Sequence, residues 1–245
     1  VKRVSHPLAP EPAIGDPLIT VIVPARNAEA TLAPLLQDLH AQRYPRDRCE
    51  VLVMDDHSED GTAAAVNVMM PRWPQLRIIP LEEDIGKKAA ITAGVAEAKG
   101  ELVLITAADA RCGPARIGAL VAHWRATGSD MILMPVHVTG RGLLAGLQEE
   151  EQCAFMAAAA GSAIEGSPLL ANGANMAFTP DAYKHVGGYS GDRRASGDDQ
   201  FLLARMKKAG KRISCLLDPA AMVEVAAETS WSAFFSQRLR WSGKM

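Results

Sequence analysis

The stretch VLVMDDHSEDGT, residues 51–62, decides the fold class. It opens with four apolar residues, which is typical of a strand buried within a sheet. Two adjacent carboxylates and further polar residues follow, and a helix is predicted over 62–70. A buried strand that ends in carboxylates and leads into a helix predicts one βα unit.

The same succession of strand and helix extends outward from this unit. On the N-terminal side, an apolar run at 19–23 predicts a strand, and leucines at i, i+3, i+4 and i+7 from Leu32 to Leu39 predict a helix. On the C-terminal side, strands are predicted at 76–79, 102–106 and 131–134, with helices over 87–98 and around 117–124. This alternation predicts an α/β fold with a mainly parallel central sheet flanked by helices.

The remainder of the chain is less regular. A helix is predicted over 143–158, and a segment rich in Gly, Pro and Asn follows it up to residue 173. The other predicted elements are a strand at 175–178, a helix after Asp198, a strand at 212–216 and a final helix from Trp231.

Polar residues gather where the predicted strands end. The first strand ends in PARN (24–27), the second in DDHSEDGT (55–62) and the fourth in TAADA (106–110). Ligands of open parallel sheets bind beyond the carboxyl ends of the strands. Carboxylates placed directly after apolar strands carry a desolvation cost, and we therefore expect them to bind something.

These polar residues have two different interpretations. Ser58, Asp60 and Thr62 are interpreted as caps of the following helix. Asp56 precedes the cap at the strand tip and is interpreted as a ligand contact. A nucleoside offers imide and hydroxyl donors that a carboxylate can accept.

The motifs of several other nucleotide-binding and enzyme classes are absent from this sequence. The turn after the first strand reads PARNAEA, without the GxGxxG of dinucleotide enzymes or the Gly-rich, Arg-containing loop of sugar nucleotidyltransferases. GxxxxGK[ST] and GxSxG are absent as well. A net charge of −2, from 26 basic and 28 acidic residues, argues against nucleic acid as a partner.

The ends of the chain suggest a piece of a larger protein. Prolines at 7, 10, 12 and 17 predict that residues 1–17 form a linker, and residues 18–245 are predicted to form a single domain. No apolar run reaches the roughly 20 residues that a membrane span requires. We interpret the chain as excised from a membrane-bound enzyme.

At this point the sequence resembles glycosyltransferase family 2, which has the GT-A fold. The resemblance covers residues 18 to 244 and rests on motifs in the family's order. These are VIVPARNAEATL, VLVMDDHSEDGT, GELVLITAADA in place of the metal-binding DxD segment, GANMAFTPDAYKHVGGYSG with ASGDDQFLLARMKKAG, and QRLRW, which matches QxxRW of membrane-embedded synthases.

The resemblance implies a donor site in a nucleotide-binding half, 18–110. Pro24, Asn27 and Asp56 would line the nucleoside pocket, and Lys87 or Lys88 would approach the nucleotide or its phosphates, although both lysines could simply be solvated. Asp109 would hold Mg²⁺ or Mn²⁺ on the diphosphate. The family's first DxD carboxylate is replaced by Ala107, which predicts weaker metal affinity and leaves open a transferase-like module that binds nucleotide without turnover.

The resemblance also implies an acceptor-binding half, 111–245. Asp199, with Asp198 beside it, would be the catalytic base, unless the two simply favour the dipole of the following helix. Gln237, Arg240 and Trp241 would close over the diphosphate and the acceptor sugar. The aromatic and basic helix that holds them could instead lie on a membrane surface.

Together these features predict an inverting transferase. Its donor would be a nucleotide sugar, most simply a UDP sugar, and its acceptor a glycan or a lipid-linked molecule. The resemblance places such an enzyme at the cytoplasmic face of the cell membrane, held there by flanking segments missing from this chain.

Overall fold

The structure, a computed structural model, describes residues 15–82, 86–192 and 197–242, with only the backbone for 240–242. Residues 1–14, most of the predicted linker, lie outside this description. Its strands are β1 (Ile19–Ala25), β2 (Cys49–Asp55), β3 (Leu76–Pro80), β4 (Leu102–Thr106), β5 (Arg111–Cys112), β6 (Met131–Leu133), β7 (Val136–Thr139), β8 (Asn175–Phe178), β9 (Ile213–Cys215) and β10 (Val223–Ala226). Its α-helices are α1 (Glu29–His40), α2 (Thr62–Met69), α3 (Lys87–Glu97), α4 (Arg116–Thr127), α5 (Leu143–Ile164), α6 (Pro180–His185), α7 (Asp198–Lys208) and α8 (Trp231–Ser242).

Seven strands form the central sheet in the order β3-β2-β1-β4-β8-β6-β9. Every neighbouring pair is parallel except those of β8, which runs antiparallel to both β4 and β6. The predicted α/β fold with a mainly parallel sheet is confirmed. Because β8 is reversed, its first residue, Asn175, lies opposite the last residue of β4, Thr106.

Helices cover both faces of this sheet, and each face has its own apolar core. Successive residues of β1 alternate between the cores, with Val21 and Val23 on one side and Ile22 on the other. The first core is closed by α1 and α4, and the second by α3, α6 and α7. Such two-sided burial explains why the strands read as continuous apolar runs.

A second sheet of three short strands, in the order β5-β10-β7, was not predicted. The alternation of buried and half-buried residues in VHVT at β7 is a strand signal, but it spans only four residues. Strand β5 has two residues, too few for any periodicity. This sheet forms by pairing between segments far apart in the sequence. Local sequence patterns therefore do not predict it.

Two helices differ from their predicted form. α5 continues to Ile164, past the predicted end at 158, because its last turns are mostly alanine, the best helix former. The short helix α6 was missed although Thr179 caps it, accepting a hydrogen bond from the Ala182 N–H, and Pro180 occupies its first position.

The last residues of the predicted linker are held against the domain. Asp16 is buried and forms an ion pair with Arg125 at 3.0 Å, and the Tyr44 hydroxyl donates to the Pro17 carbonyl at 2.6 Å. Over the described ranges, no helix has both the length and the apolar character needed to cross a membrane.

Candidate active site

A cavity of about 190 Å³ lies at the carboxyl ends of β1, β2 and β4. Its walls combine small apolar side chains with one carboxylate and two cationic side chains, and are formed by Pro24, Ala25, Arg26, Asp56, Lys87, Ala90, Ala107 and Ala108. The cavity therefore lies where open parallel sheets bind their ligands. Three of the predicted site residues, Pro24, Asp56 and Lys87, line it.

Asp56 is the carboxylate of this cavity, and its side chain is only 7% exposed. Its Oδ2 accepts a hydrogen bond from the Gly86 N–H at 3.0 Å and lies 3.7 Å from Arg26 Nη1. Its Oδ1 lies 3.3 Å from Nδ1 of His57. The amide that orients Asp56 belongs to a glycine with φ of +96°, a conformation that glycine adopts without strain.

Asn27 joins two loops in this structure and is not among the cavity residues. Its side-chain oxygen accepts a hydrogen bond from the Glu59 N–H at 2.9 Å, and its own N–H donates to the Ser58 hydroxyl at 3.0 Å. The residue has a φ of +49°, which asparagine tolerates better than most residues. Asn27 thus fixes the loop after β1 against the loop after β2.

The capping interpretation of Ser58, Asp60 and Thr62 needs correction. Only Asp60 binds the helix that follows, where its Oδ1 accepts from the Thr62 N–H at 2.9 Å. Its Oδ2 accepts from the Glu29 N–H at 3.1 Å, while the Thr62 hydroxyl oxygen accepts from the Ala28 N–H at 2.8 Å. The Ser58 hydroxyl binds the loop before α1, where it accepts from the N–H of Asn27, two residues before the helix begins.

The hydrogen bond from the Thr62 hydroxyl, more than any other contact, lowers the pKa of Asp60 below its ordinary value. The backbone amides of Glu29 and Thr62 act in the same direction. Asp60 is therefore a structural carboxylate that holds the first turns of α1 and α2 beside each other.

Four residues from three distant segments form what we call the Lys87 cluster: Lys87, Gly173, Asp198 and Asp199. Lys87 Nζ donates to the Gly173 carbonyl at 3.0 Å and lies 3.4 Å from Asp198 Oδ2. The Gly173 N–H donates to Asp199 Oδ2 at 3.1 Å. Because Lys87 also lines the cavity, the two aspartates lie next to the predicted nucleotide site.

Both aspartates are 7% exposed and are the first two residues of α7. The helix dipole favours negative charge there, as the alternative interpretation holds. The dipole does not account for the lysine and the glycine amide that orient the two carboxylates. Within the described part of the chain, the buried Asp198 Oδ2 makes no hydrogen bond, and the Lys87 ammonium at 3.4 Å compensates its charge.

Tyr189 is a neighbour of this cluster that the sequence analysis did not single out. Burial, reinforced by the negative charges of Asp198 and Asp199, raises its pKa well above the ordinary value. Its ring packs edge to face on Tyr183, with centroids 5.7 Å apart. Arg26 was also missed as a cavity residue, although it belongs to the PARN stretch that was noted for its polar character.

Asp109, the predicted metal ligand, is exposed on the turn that follows β4. The turn is closed by the Ala110 N–H, which donates to the Ala107 carbonyl at 3.1 Å, and its residues Ala107 and Ala108 line the cavity. A second contact, from the Ala107 N–H to the Ala174 carbonyl at 3.3 Å, joins this turn to the loop of Gly173.

The described side chains contain no group of three or more His, Cys, Asp or Glu residues that could hold a metal. Mg²⁺ in nucleotide sites is commonly held by one or two carboxylates together with phosphates. Asp109 is a single exposed carboxylate in this structure, and its assignment as a metal ligand stays a prediction.

The predicted diphosphate and acceptor residues lie on α8. Gln237 donates from Nε2 to Glu228 Oε1 at 2.9 Å and is not among the cavity residues. Arg238 forms an ion pair with Glu151 of α5. The side chains of Arg240 and Trp241 lie outside the described residues, and their roles stay predictions.

The fold and the cavity define a class, that of α/β proteins whose ligands bind at the carboxyl edge of the sheet. A sequence profile of Glycosyl transferase family 2 matches residues 20–152, more than half of the chain. The chain belongs to this family, as the resemblance predicted.

Two relatives show how far the similarity extends. The chain is 25% identical over 233 residues to the probable glycosyltransferase YdaM of Bacillus subtilis, covering 92% of this chain and 54% of YdaM. It is 29% identical over 118 residues to a dodecaprenyl-phosphate galacturonate synthase of Rhizobium johnstonii, covering 47% of this chain and 35% of the synthase. The chain therefore spans about half or less of the length of these relatives.

A solved structure supports the same fold. The mannosyltransferase PcManGT of Pyrobaculum calidifontis, in complex with GDP-Man and Mn²⁺, superimposes with a TM-score of 0.69 at 25% identity. The match covers 94% of this chain and 62% of that chain. The predicted GT-A fold is confirmed.

Proposed function

We propose that this chain is the catalytic domain of an inverting glycosyltransferase that takes a sugar from a nucleoside diphosphate. One observation carries the proposal: Lys87 connects the Asp56 cavity with the carboxylate pair Asp198 and Asp199. A nucleotide at Asp56 would place its sugar-linked phosphates toward the lysine and the base.

Asp56 is suited to read the nucleobase. The Gly86 N–H, Arg26 and His57 occupy part of its acceptor capacity, which leaves room for few further donors. Uracil needs a single acceptor for its imide, whereas guanine presents two neighbouring donors. We therefore propose a UDP sugar as the donor and treat GDP-Man, the ligand of PcManGT, as the competitor to be tested.

The transfer itself needs a base and a stabilised leaving group. The acceptor hydroxyl oxygen would attack the anomeric carbon as the bond from that carbon to the diphosphate oxygen breaks. The electron pair of that bond stays on the leaving phosphate, and the hydroxyl proton passes to Asp199. Asp199 suits this task because the Gly173 N–H fixes its orientation.

Lys87 and Asp109 would serve the leaving diphosphate. The Lys87 ammonium lies in the cavity wall and supplies positive charge there. Asp109 would hold Mg²⁺ or Mn²⁺, which neutralises charge on the phosphates when bound. We assign residues 18–110 to the donor half and 111–245 to the acceptor half on this basis.

The acceptor is proposed to be a glycan or a lipid-linked molecule. The Rhizobium relative is named as a synthase of dodecaprenyl-phosphate galacturonate, a lipid-linked sugar. On α8, Trp231, Phe235 and Leu239 are at least 49% exposed and recur every fourth residue, so they share one helix face. Gln237, Arg240 and Trp241 are proposed to contact diphosphate and acceptor, at the cytoplasmic face of the cell membrane.

The test measures release of nucleoside diphosphate from UDP sugars and from GDP-Man, with the protein supplied at full length in membranes. Asp199→Asn should lower turnover by about 10²–10⁴-fold, the usual contribution of a general base. Binding of UDP should persist in this variant. The anomeric configuration of the product, read by NMR, tests inversion.

Asp181→Asn is the matched control, because Asp181 also lies in the first turn of a helix, α6, but is exposed and is not among the cavity residues; it should leave turnover unchanged. Equal turnover of wild type and Asp199→Asn would contradict the assignment of the base. A second candidate, a nucleotide-binding module without turnover, is favoured by Ala107 in place of a carboxylate. Binding of UDP with no sugar transfer to any acceptor would support it.

A further inference from the structure

Arg116, the first residue of α4, is completely buried. Its Nη2 donates to the Thr106 hydroxyl at 2.5 Å and to Asn175 Oδ1 at 2.8 Å. Its Nε and Nη1 have no hydrogen-bond partner among the described residues. The side chain therefore places a cation inside the domain, and the Cys112 thiol is its other close polar neighbour.

No described carboxylate compensates this charge. Burial lowers the pKa of Arg116, and the groups that oppose this shift are the thiols of Cys112 and Cys49. A guanidinium nevertheless stays protonated in proteins. A buried unpaired cation at the N-terminus of a helix is unfavourable on two counts, desolvation and the helix dipole.

The two acceptors of Arg116 lie next to two parts of the proposed site, the turn that contains Asp109 and the loop that contains Gly173. Thr106 ends β4 and leads into the turn of Ala107, Ala108 and Asp109, while Asn175 begins β8 directly after Gly173 and Ala174. Thr106 and Asn175 are opposite each other in the β4–β8 pair. One guanidinium nitrogen thus binds both strand ends.

Asn175 extends this connection further into the fold. Its Nδ2 donates to the carbonyls of Pro135 at 2.8 Å and Ala221 at 2.9 Å. Beyond the strand ends, the Ala107 N–H donates to the Ala174 carbonyl at 3.3 Å. Displacement of Arg116 would therefore release the Asp109 turn and the Gly173 loop together.

We propose that Arg116 is a positioning residue for the transfer reaction, whose buried guanidinium sets the separation between the Asp109 turn and the Gly173 loop. The proposal rests on the proposed function, in which Asp109 serves the diphosphate and Gly173 orients Asp199. Arg116 touches neither substrate nor metal and acts through Thr106 and Asn175.

The first test uses Thr106→Val, which keeps the shape of the side chain and removes the hydroxyl acceptor. The ratio of the UDP dissociation constants without and with Mn²⁺, measured by calorimetry, should fall by about 10- to 100-fold. This is the usual loss when the residues that support a metal ligand are changed. We expect kcat to fall by a similar factor per folded molecule. UDP binding without Mn²⁺ should stay within about twofold, because Asp56 is unaffected.

Thr20→Val is the matched control. Thr20 is also a fully buried threonine, whose hydroxyl donates to Glu50 at 2.5 Å and accepts from the Gly100 N–H at 2.9 Å. It lies at the opposite, amino end of the sheet, on the neighbouring strand β1. It should lower the melting temperature without changing the Mn²⁺ dependence.

The second test uses Arg116→Met, which replaces the buried cation by an apolar side chain of similar length. The Thr106 hydroxyl and Asn175 Oδ1 would lose their donor, so the melting temperature should fall, and kcat is compared per folded molecule. If Arg116 is only structural, this variant keeps the kcat and the Mn²⁺ dependence of the wild type, and the proposal is overturned. If Arg116→Met does not fold, the Mn²⁺ dependence and the kcat of Thr106→Val alone decide between the two roles of Arg116.

The calorimetry also separates this inference from the proposed function. A wild-type protein that binds no nucleoside diphosphate would overturn both. A wild-type protein that binds UDP with Mn²⁺, alongside Thr106→Val and Arg116→Met variants that bind equally well, would overturn the role of Arg116 and leave the proposed function intact.

Discussion

Gly173 shows how a single residue links the carboxylate pair to the lysine. Its carbonyl accepts from Lys87 and its N–H donates to Asp199, so its backbone contacts both charged groups. A Cβ at this position would lie 2.6 Å from Lys87 Nζ but 3.4 Å or more from Asp198 Oδ2 and Asp199 Cβ. Only the lysine would have to move.

Gly173→Ala should therefore lower turnover without unfolding the domain. The clash falls on the far end of a flexible side chain, and a displaced Lys87 no longer holds its position beside the diphosphate. We expect turnover to fall by about tenfold or more, since misplacement by 1 Å can cost 10²-fold. The melting temperature should stay close to that of the wild type.

Gly113→Ala provides the control, because a Cβ at Gly113 meets no heavy atom within 4 Å. Both substitutions lower the conformational entropy of the unfolded chain in the same way. Unchanged turnover in Gly173→Ala would mean that Lys87 can leave Gly173 without consequence for the reaction.

At the scale of elements, Asp60 connects two helices that start at the same edge of the sheet. Its two carboxylate oxygens accept from the first residues of α1 and α2, Glu29 and Thr62. Side-chain acceptors at helix starts stabilise proteins because the first amides have no partner within the helix.

Asp60→Ala should therefore lower the melting temperature at neutral pH, measured by circular dichroism. The folded protein holds the pKa of Asp60 below its ordinary value of 3.8, so ionised Asp60 contributes stability above that pH. This contribution is lost as the pH falls through the lowered pKa. The difference between wild type and variant should shrink below pH 3.8.

Glu59→Ala is the comparison, since Glu59 is an exposed carboxylate in the same loop. It should change the melting temperature little at any pH. A difference between wild type and Asp60→Ala that does not narrow in acid would show that the helices do not depend on the charge of Asp60.

Elements with an apolar run or a helical period were predictable, and several elements without such a pattern were not. The strand with Asp56 at its tip was found because an apolar run and a carboxylate adjoin within a few residues. Helix α6 carries a clear start signal at Thr179 and Pro180, yet its six residues are too few for helical periodicity. Strands β5 and β10 depend on partners far away in the chain.

At the scale of the whole molecule, the site depends on contacts that the sequence does not encode locally. Lys87 and Asp198 are distant along the chain and meet because α3 and α7 pack on the same face of the sheet. Their approach could be inferred from the family resemblance but not from any spacing of residues. The contacts of Arg116 could not be inferred from residue spacing either, because Thr106 and Asn175 meet only through the pairing of β4 with β8.

Nucleotide binding should stabilise the whole domain if the cavity is the donor site. A ligand that binds only the folded state at 100 times its dissociation constant adds about 2.7 kcal/mol to the free energy of unfolding. We expect UDP with Mn²⁺ to raise the melting temperature of the wild type, measured by calorimetric scanning. GDP should raise it less.

Asp56→Asn should abolish this increase. The amide oxygen can still accept from Gly86, so the loop stays in place, but the amide N–H₂ would face the imide donor of uracil. Asp38→Asn is the matched control, because Asp38 pairs with Arg111 and is not among the cavity residues. A full UDP-induced increase in Asp56→Asn would place the nucleoside elsewhere, and the donor site would then have to be sought outside the cavity at β1, β2 and β4.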